Sequence, residues 1–185
     1  MAWLKLVNAL LFQFAWFGNV LIGSVAGLVA ILALAGLSLH VARDEPACFR
    51  RDVQLAVMLG AVGWCLDTGW VSMGVLSYAG AQAAPMWIVL LWMSVGFTVR
   101  HSLAFLGVRP LVGGLLAGAF APVSYLGGER LGAVAIADPW DLAWIALAWT
   151  AVFWAAFAFA RRHARVGSAR SSAIGATIES TSSGR

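Results

Sequence analysis

The clearest membrane segment of the chain is MWIVLLWMSVGFTVRHSLAFLGV, residues 86–108. It is long enough to cross a lipid bilayer, which takes about 20 predominantly apolar residues in a helix. Arg100 and His101 interrupt this apolar run, and Asp67 interrupts an earlier one. Because ionisable groups at membrane depth are costly, they usually face a protein interior or a wet cavity. These positions are therefore the first candidates for a functional site.

The composition of the whole chain is that of a membrane protein. Of its 185 residues, 62% are hydrophobic and only 11% are charged, whereas soluble domains carry about 25% charged residues. The net charge of +4 does not indicate a basic patch, since the Lys and Arg residues are dispersed at the ends of apolar runs. We therefore expect no nucleic-acid partner, and we interpret the basic residues as signals of membrane topology.

Six apolar segments predict an all-α integral membrane protein, a bundle of six transmembrane helices that forms one domain over residues 1–162. Gly18, Gly23 and Ser24 are expected to separate the first two spans, and a five-helix bundle is the alternative if they do not. The polar residues 163–185 are expected to form a disordered cytoplasmic tail. The predicted spans are 3–21, 25–42, 53–76, 86–108, 111–127 and 139–162.

The positions of Lys and Arg also predict the orientation of the bundle. If the N-terminus lies in the cytoplasm, ten basic residues fall on the cytoplasmic side and only Arg130 falls outside. Cytoplasmic connections of membrane proteins carry an excess of Lys and Arg. We therefore expect both termini to be cytoplasmic.

Polar side chains within the predicted spans fall into two levels when depth is estimated from a helical rise of about 1.5 Å per residue. A direct or water-bridged pair between Arg100 and Asp67 is geometrically allowed. Glycines on the third and fifth spans favour close helix packing, so these side chains are predicted to enclose one polar pocket centred on Asp67, His101 and Tyr125. The outer level comprises Asp67, Tyr125, Asn19 and Ser124, and the inner level comprises Arg100, His101, Gln13 and Asn8.

Each of these residues also has a purely structural interpretation. A single membrane carboxylate is as often the partner of an interhelical hydrogen bond as a functional acid, and Arg100 alternatively extends its charge to the lipid headgroups. His101 is equally compatible with a hydrogen-bonded packing role. The Asn and Gln side chains are more often hydrogen-bonded between helices than involved in ligand binding.

The sequence lacks the motifs of metal, cofactor and nucleophilic sites. His40, His101 and His163 do not have metal-ligand spacing, and Cys48 and Cys65 lie at different expected depths, so neither a metal nor a disulfide is predicted. No GxSxG motif and no phosphate-binding glycine loop is present. We therefore expect no cofactor, and the sequence argues against an enzyme without excluding one.

Four motifs of the chain recur together in one protein family. They are Asn8–Phe17, Gly63-x-x-x-Asp67, Arg100-His101-Ser102-Leu103 and Pro122-x-Ser124-Tyr125-x-Gly127. With these motifs the chain resembles a family of small bacterial inner-membrane proteins that is a domain of unknown function. In that family the third motif generally begins with Asn, where this chain has Arg100. The resemblance extends from residue 3 to about residue 160 and implies a bacterial inner membrane and genomic neighbours related to cyclopropane-fatty-acid synthase.

These observations lead to three functional hypotheses. The first is an accessory or lipid-handling protein of envelope lipid or fatty-acid metabolism, with membrane lipids as its partners. The second is a small proton-coupled transporter in which Asp67 and His101 titrate. The third is a non-catalytic membrane scaffold that binds a lipid-modifying enzyme. The sequence does not determine the oligomeric state.

Overall fold

A computed structural model describes the backbone of residues 2–182 and the side chains of residues 2–162. The described chain folds into α-helices, with one short 3-10 turn at Leu106–Val108 and a small antiparallel sheet of β1 (Leu76–Ser77) and β2 (Ala135–Ile136). The helices are α1 (Ala2–Leu21), α2 (Ser24–Val41), α3 (Pro46–Ser72), α4 (Met86–Gly96), α5 (Pro110–Arg130) and α6 (Asp141–Ser182). The backbone of α6 continues to Ser182, through most of the tail, 163–185, for which the sequence predicts disorder, and the side chains of that tail lie outside the described residues.

Five of the helices are long and apolar enough to cross a membrane: α1, α2, α3, α5 and the Asp141–Arg162 part of α6. Helix α4 has 11 residues, about 16 Å at the usual rise, whereas the hydrocarbon layer is about 30 Å thick. The prediction of an all-helical, multi-pass membrane protein with six helices is confirmed. Only five of the six helices are long enough to cross a membrane because α4 is short. Helices α1 and α2 are not fused.

Helices α1 and α2 are separate because the chain turns sharply at Gly23. This residue has a φ of 93°, a conformation that glycine adopts readily because it lacks a Cβ. Gly18 also matters, since a Cβ at this position would lie 3.1 Å from the Cβ of Ala26 in α2. The two helices therefore pack closely as a hairpin, as the sequence predicted.

The fourth apolar segment is not one helix over 86–108. Helix α4 ends at Gly96, and the following residues form consecutive turns in which His101 N–H donates to the Thr98 carbonyl and Ala104 N–H to the His101 carbonyl. Glycine and the β-branched Thr98 have low helix propensity. Phe97, Thr98 and Val99 are 3%, 1% and 1% exposed, so this non-helical backbone is shielded by protein, as backbone at membrane depth must be.

Helix α3 begins at Pro46, about two turns before the predicted start at Val53. Proline is favoured in the first turn of a helix because its missing N–H has no intrahelical acceptor there. Asp52 therefore lies within α3 and is 2% exposed, whereas the predicted span 53–76 leaves it just outside the helix. This difference determines which carboxylate Arg100 contacts.

Glycines determine how closely the helices pack around α4. A Cβ at Gly60 or Gly63 would overlap Met93 or Trp92 of α4, and a Cβ at Gly96 would overlap the α3 backbone at Ala56. Helix α4 also contacts α1 and α2, and α5 packs mainly on α6. Because Gly96 lies against Ala56, one turn from Asp52, the segment 97–102 is positioned beside the beginning of α3.

The small sheet joins two connections at the opposite end of the bundle. Leu76 of β1 pairs with Ile136 of β2, which links the α3–α4 loop to the α5–α6 loop. Gly74 and Gly132 each have a φ of 75° and reverse the chain before the strands. We call this side of the bundle the Asp67 end, and the side that contains the beginning of α3 the Asp52 end.

Candidate functional site

Asp52 is the centre of a polar cluster at the Asp52 end. Its Oδ2 accepts hydrogen bonds from Ser38 Oγ at 2.6 Å and contacts His101 Nε2 at 2.8 Å, while Arg100 Nη1 donates to its Oδ1 at 2.9 Å. The Asp52 side chain is 3% exposed. A carboxylate at this depth is stable only with such partners, and the cluster connects α2, α3 and the segment after α4.

Arg100 and His101 reach from this buried centre to an open cavity. Arg100 Nη1 also donates to the Cys48 carbonyl at 2.8 Å, and the side chains of Arg100 and His101 are 21% and 14% exposed. The cavity has a volume of about 380 Å³ and is also lined by Lys5 and Glu45. We call it the polar cavity.

Asn8 of α1 holds the turn that carries Arg100 and His101. Its Nδ2 donates to the Phe97 carbonyl at 3.2 Å, and its Oδ1 accepts from Ser102 N–H at 3.2 Å and from Ser102 Oγ at 2.7 Å. Asn8 is 1% exposed. The side chain therefore replaces hydrogen bonds that a regular helix would have provided to this backbone.

Asp67 lies in a second cluster, at the Asp67 end, whose donors are aromatic side chains. Tyr78 Oη and Tyr125 Oη donate to its Oδ1 at 2.5 and 2.8 Å, and Trp92 Nε1 donates to its Oδ2 at 2.8 Å. Asp67 is 0% exposed. Gly63, one turn before Asp67, leaves the space that the Trp92 ring occupies. The space at Gly63 therefore allows the Trp92 ring to lie beside Asp67, one turn further along α3.

No basic side chain of the described residues pairs with Asp67. Its nearest donor outside the helices is Tyr78, which follows β1 and is 2% exposed. Burial, together with the neighbouring Asp67 carboxylate, raises the pKa of the Tyr78 phenol well above its ordinary value. Tyr78 is therefore a neutral hydrogen-bond donor at neutral pH.

The two clusters are separate, which corrects the predicted single pocket. Asp52 and Asp67 are 15 residues apart in α3, which corresponds to about 22 Å along a helix. Arg100 and His101 contact Asp52, and Tyr125 contacts Asp67. The Arg100–Asp67 pair, which the sequence left open, is not formed, because Arg100 pairs with Asp52. A carrier in which Asp67 and His101 titrate in one cavity has no geometric basis here.

The other predicted site residues lie between or beside the clusters. Ser124 Oγ accepts a hydrogen bond from Trp16 Nε1 at 2.9 Å, which joins α5 to α1. Asn19 is 1% exposed, its Nδ2 donates to the Ala15 carbonyl, and its Oδ1 points at Gly27 of α2. Asn19 therefore belongs to the α1–α2 contact and not to the Asp67 cluster. Gln13 is exposed and lines a large cavity.

This large cavity, the lateral groove, has a volume of about 800 Å³ and lies between α1, α5, α6 and the segment 103–106. Its walls are almost entirely apolar, with Gln13, Ser124 and Arg130 as the polar exceptions. Volumes of about 300–1,000 Å³ are typical of small-molecule sites. The apolar lining includes Phe12, Trp16, Leu103, Leu116, Phe120 and Phe153.

The sequence did not reveal the contacts of Asp52, Tyr78 and Trp92, because none of these residues is an obvious polar group within a predicted span. Asp52 follows Arg50 and Arg51 and precedes the predicted span 53–76, although Pro46 as a helix start would have placed it on α3. Tyr78 lies in a loop, and Trp92 reads as an apolar residue of a span. No local pattern of the sequence indicates that Trp92 and Tyr78 donate to Asp67.

The absence of a metal or disulfide site was a separate prediction. Among the described residues, no group of three His, Cys, Asp or Glu side chains has the geometry to hold a metal ion. Cys48 and Cys65 are free thiols.

Comparison with known proteins agrees with the resemblance noted from the sequence. The family model described as "Protein of unknown function (DUF2878)" matches residues 5–160. No curated protein and no protein of solved structure matches the chain.

Proposed function

The chain belongs to the DUF2878 family of proteins of unknown function, and we propose that it binds the acyl chain of a membrane lipid in its lateral groove. The observation that carries this proposal is the apolar cavity of about 800 Å³ between α1, α5 and α6. Because the helices around it are exposed, apolar and long enough to cross a membrane, the medium that the groove faces is the lipid hydrocarbon.

The groove has the shape and lining that an acyl chain requires. It is lined by Phe12 and Phe17 of α1 and by Phe120 and Val123 of α5. Since lipid tails are as apolar as these walls, binding gains little from the hydrophobic effect and depends on packing and on polar contacts. A chain held in this way is selected by its shape, which distinguishes a binding groove from a surface coated by bulk lipid.

Arg130 supplies a polar contact at the Asp67 end of the groove. It lies in the last turn of α5, is exposed and lines the cavity. Its neighbour Glu129 accepts a hydrogen bond from Ile136 N–H at 3.0 Å, and no ion pair to Arg130 occurs among the described residues. A guanidinium at this position favours a lipid with an acidic headgroup, such as a carboxylate or a phosphate.

The cellular role that follows is lipid handling in a bacterial inner membrane, in the service of envelope lipid or fatty-acid metabolism. The distribution of Lys and Arg supports an orientation with both termini in the cytoplasm. In this orientation the Asp52 end faces the cytoplasm, and the lipid headgroup at Arg130 faces outward.

A photoactivatable fatty acid with a diazirine on its chain tests the groove. In the purified protein in detergent, we expect crosslinks on α1 and α5 residues of the groove. Ala117→Phe fills the groove and should reduce this labelling several-fold. Ala119→Phe is the matched control, because Ala119 is an exposed residue of the same helix outside the groove. Equal labelling in both variants, or labelling spread over all exposed apolar positions, contradicts the proposal.

A further inference from the structure

We propose that the polar cavity at the Asp52 end binds a phosphate ester that also carries an ammonium group, of the phosphoethanolamine type. The cavity of about 380 Å³ is lined by Lys5, Arg100, His101, Glu45, Asp44 and Asp52. It is distinct from the lateral groove, and the inference does not depend on an acyl chain binding there.

Arg100 provides the first group for a phosphate. Its Nη1 is occupied by the Asp52 carboxylate and the Cys48 carbonyl, while its Nε and Nη2 have no hydrogen-bond partner among the described residues. The side chain is 21% exposed. One edge of the guanidinium is therefore fixed, and the donors on the other edge remain free. Such a planar pair of donors matches two phosphate oxygens.

Lys5 and His101 provide further polar groups around the same space. His101 contacts Asp52 through Nε2, which leaves Nδ1 without a partner among the described residues. Lys5 is exposed at the beginning of α1 and likewise forms no ion pair within the described part of the chain. Asp52 fixes Arg100 and His101 from behind, so the donors are arranged before a ligand arrives.

The carboxylates of the cavity favour a ligand that also carries an ammonium group. Glu45 has no ion-pair partner among the described side chains, and Asp44 pairs only with the exposed Arg43, at 3.6 Å. A purely anionic ligand would meet repulsion from these acids. A ligand with a phosphate and a primary ammonium satisfies both sets of groups. The zwitterion is therefore favoured over free phosphate.

The position of the cavity indicates where such a ligand is found. Lys5 lies in the first turns of α1, and Asp44 and Glu45 lie in the α2–α3 connection, so the cavity opens where helices leave the hydrocarbon layer. Phosphoethanolamine groups occur there as lipid headgroups, and soluble phosphate esters also reach this surface. The chemistry recognised is the same in both cases, and the experiment distinguishes them.

The direct test is calorimetric titration of the full-length protein in detergent with glycerophosphoethanolamine, the headgroup without acyl chains. Glycerophosphoglycerol, glycerophosphocholine and inorganic phosphate serve as comparison ligands. We expect glycerophosphoethanolamine to bind about tenfold more tightly than each of them, the effect of one charge-assisted contact. Absence of binding, or inorganic phosphate binding equally well, overturns the proposal.

Two variants test the recognition of the phosphate and of the ammonium group separately. Lys5→Gln should weaken glycerophosphoethanolamine and glycerophosphoglycerol alike, whereas Glu45→Gln should abolish the preference between them. Both residues are exposed, so neither change disturbs the buried cluster. Arg50→Gln is the matched control for lost charge, since Arg50 is exposed and does not line the cavity. Unchanged affinity in Lys5→Gln, or an equal loss in Arg50→Gln, refutes the assignment.

A short-chain phosphatidylethanolamine identifies the source of the ligand. Its affinity is measured in the Ala117→Phe variant, in which the lateral groove is filled. If this lipid binds more tightly than glycerophosphoethanolamine, the ligand is a lipid headgroup. If the two bind equally, the ligand is a soluble phosphate ester. Because this background removes the groove, failure of the acyl-chain proposal leaves the result of this titration unaffected.

Discussion

Helix α3 carries two buried carboxylates whose surroundings are opposite in kind. Asp52 is paired with cationic or ionisable groups, Arg100 and His101, and lies behind an open cavity. Asp67 accepts from three aromatic donors and is 0% exposed. Both satisfy the requirement that a buried acid be hydrogen-bonded, but only the Asp52 cluster presents unpaired donors to a ligand.

The comparison separates a stabilising element from a site. The Asp67 cluster joins α3, α4, α5 and the α3–α4 loop through contacts that leave no free donor on its three partners, so removing it should affect folding. The Asp52 cluster also joins elements, yet Arg100 and His101 keep free atoms that face the polar cavity. Burial alone, which the sequence analysis treated as a sign of function, does not distinguish these cases.

The largest expected effect is that of Asp67→Ala. Three buried donors would lose their acceptor, and each unsatisfied buried donor costs about 1–3 kcal/mol. We therefore expect the free energy of unfolding to fall by about 3 kcal/mol or more, measured by thermal unfolding in detergent. Asp67→Asn, which keeps one acceptor oxygen, should lose less. Unchanged stability in Asp67→Ala would show that the aromatic cluster does not hold the bundle together.

Asp52→Ala should reduce stability less than Asp67→Ala does, and it should weaken ligand binding more. Arg100 and His101 lose their partner, but both reach the polar cavity, where water can solvate them, so we expect a loss of about 1–3 kcal/mol. Titration with glycerophosphoethanolamine should show at least a tenfold loss of affinity, because Arg100 is no longer fixed. If Asp67→Ala, at matched folded fraction, reduced this affinity as much as Asp52→Ala, the separation of site from scaffold would be wrong.

A smaller effect concerns the pH dependence of the Asp67 cluster. The chain contains 2 tyrosines, Tyr78 and Tyr125, so Tyr125→Phe leaves Tyr78 as the sole phenol at a cost of about 1 kcal/mol. Burial raises the pKa of Tyr78. The stability that this donor contributes is therefore complete below about pH 10, the ordinary pKa, and is lost as the pH rises further.

The measurement is tyrosinate absorbance recorded together with near-ultraviolet circular dichroism during an alkaline titration of Tyr125→Phe. We expect tyrosinate to appear only as the tertiary signal disappears, because the folded protein keeps the phenol neutral. The unfolded protein in denaturant, which should titrate near pH 10, is the control. Tyrosinate formation near that pH in the folded protein would contradict a buried hydrogen bond from Tyr78 to Asp67.

Much of the fold followed from the sequence because its signals are local. Apolar length identified five of the six spans to within a few residues at most boundaries, and Gly23 marked the boundary between α1 and α2. Helix α4 was predicted too long, since apolarity alone does not distinguish a helix from buried turns. Helix α3 was predicted too short, because its first two turns are polar.

The candidate site could be predicted only in part. Arg100, His101, Asn8 and Asp67, which the sequence places at membrane depth, are buried or partly buried in the structure. Polarity within an apolar run can be read directly from the sequence. Their partners were not predicted. Asp52 of α3 contacts Arg100 and His101, which are distant in sequence, and Ser38 of α2 donates to Asp52. The close approach of α4 to α3 at Gly96 sets that register.

What the sequence by itself determined is the class of the protein: a helical, multi-pass membrane protein with a few protected polar groups, because hydrocarbon imposes length and composition on each segment independently. The tertiary structure alone decided that Asp67 is sealed by aromatic donors whereas Asp52 fixes a basic pair beside a cavity. Hydrogen bonds act over about 3 Å, so partners depend on how the helices pack and not on the properties of any one segment.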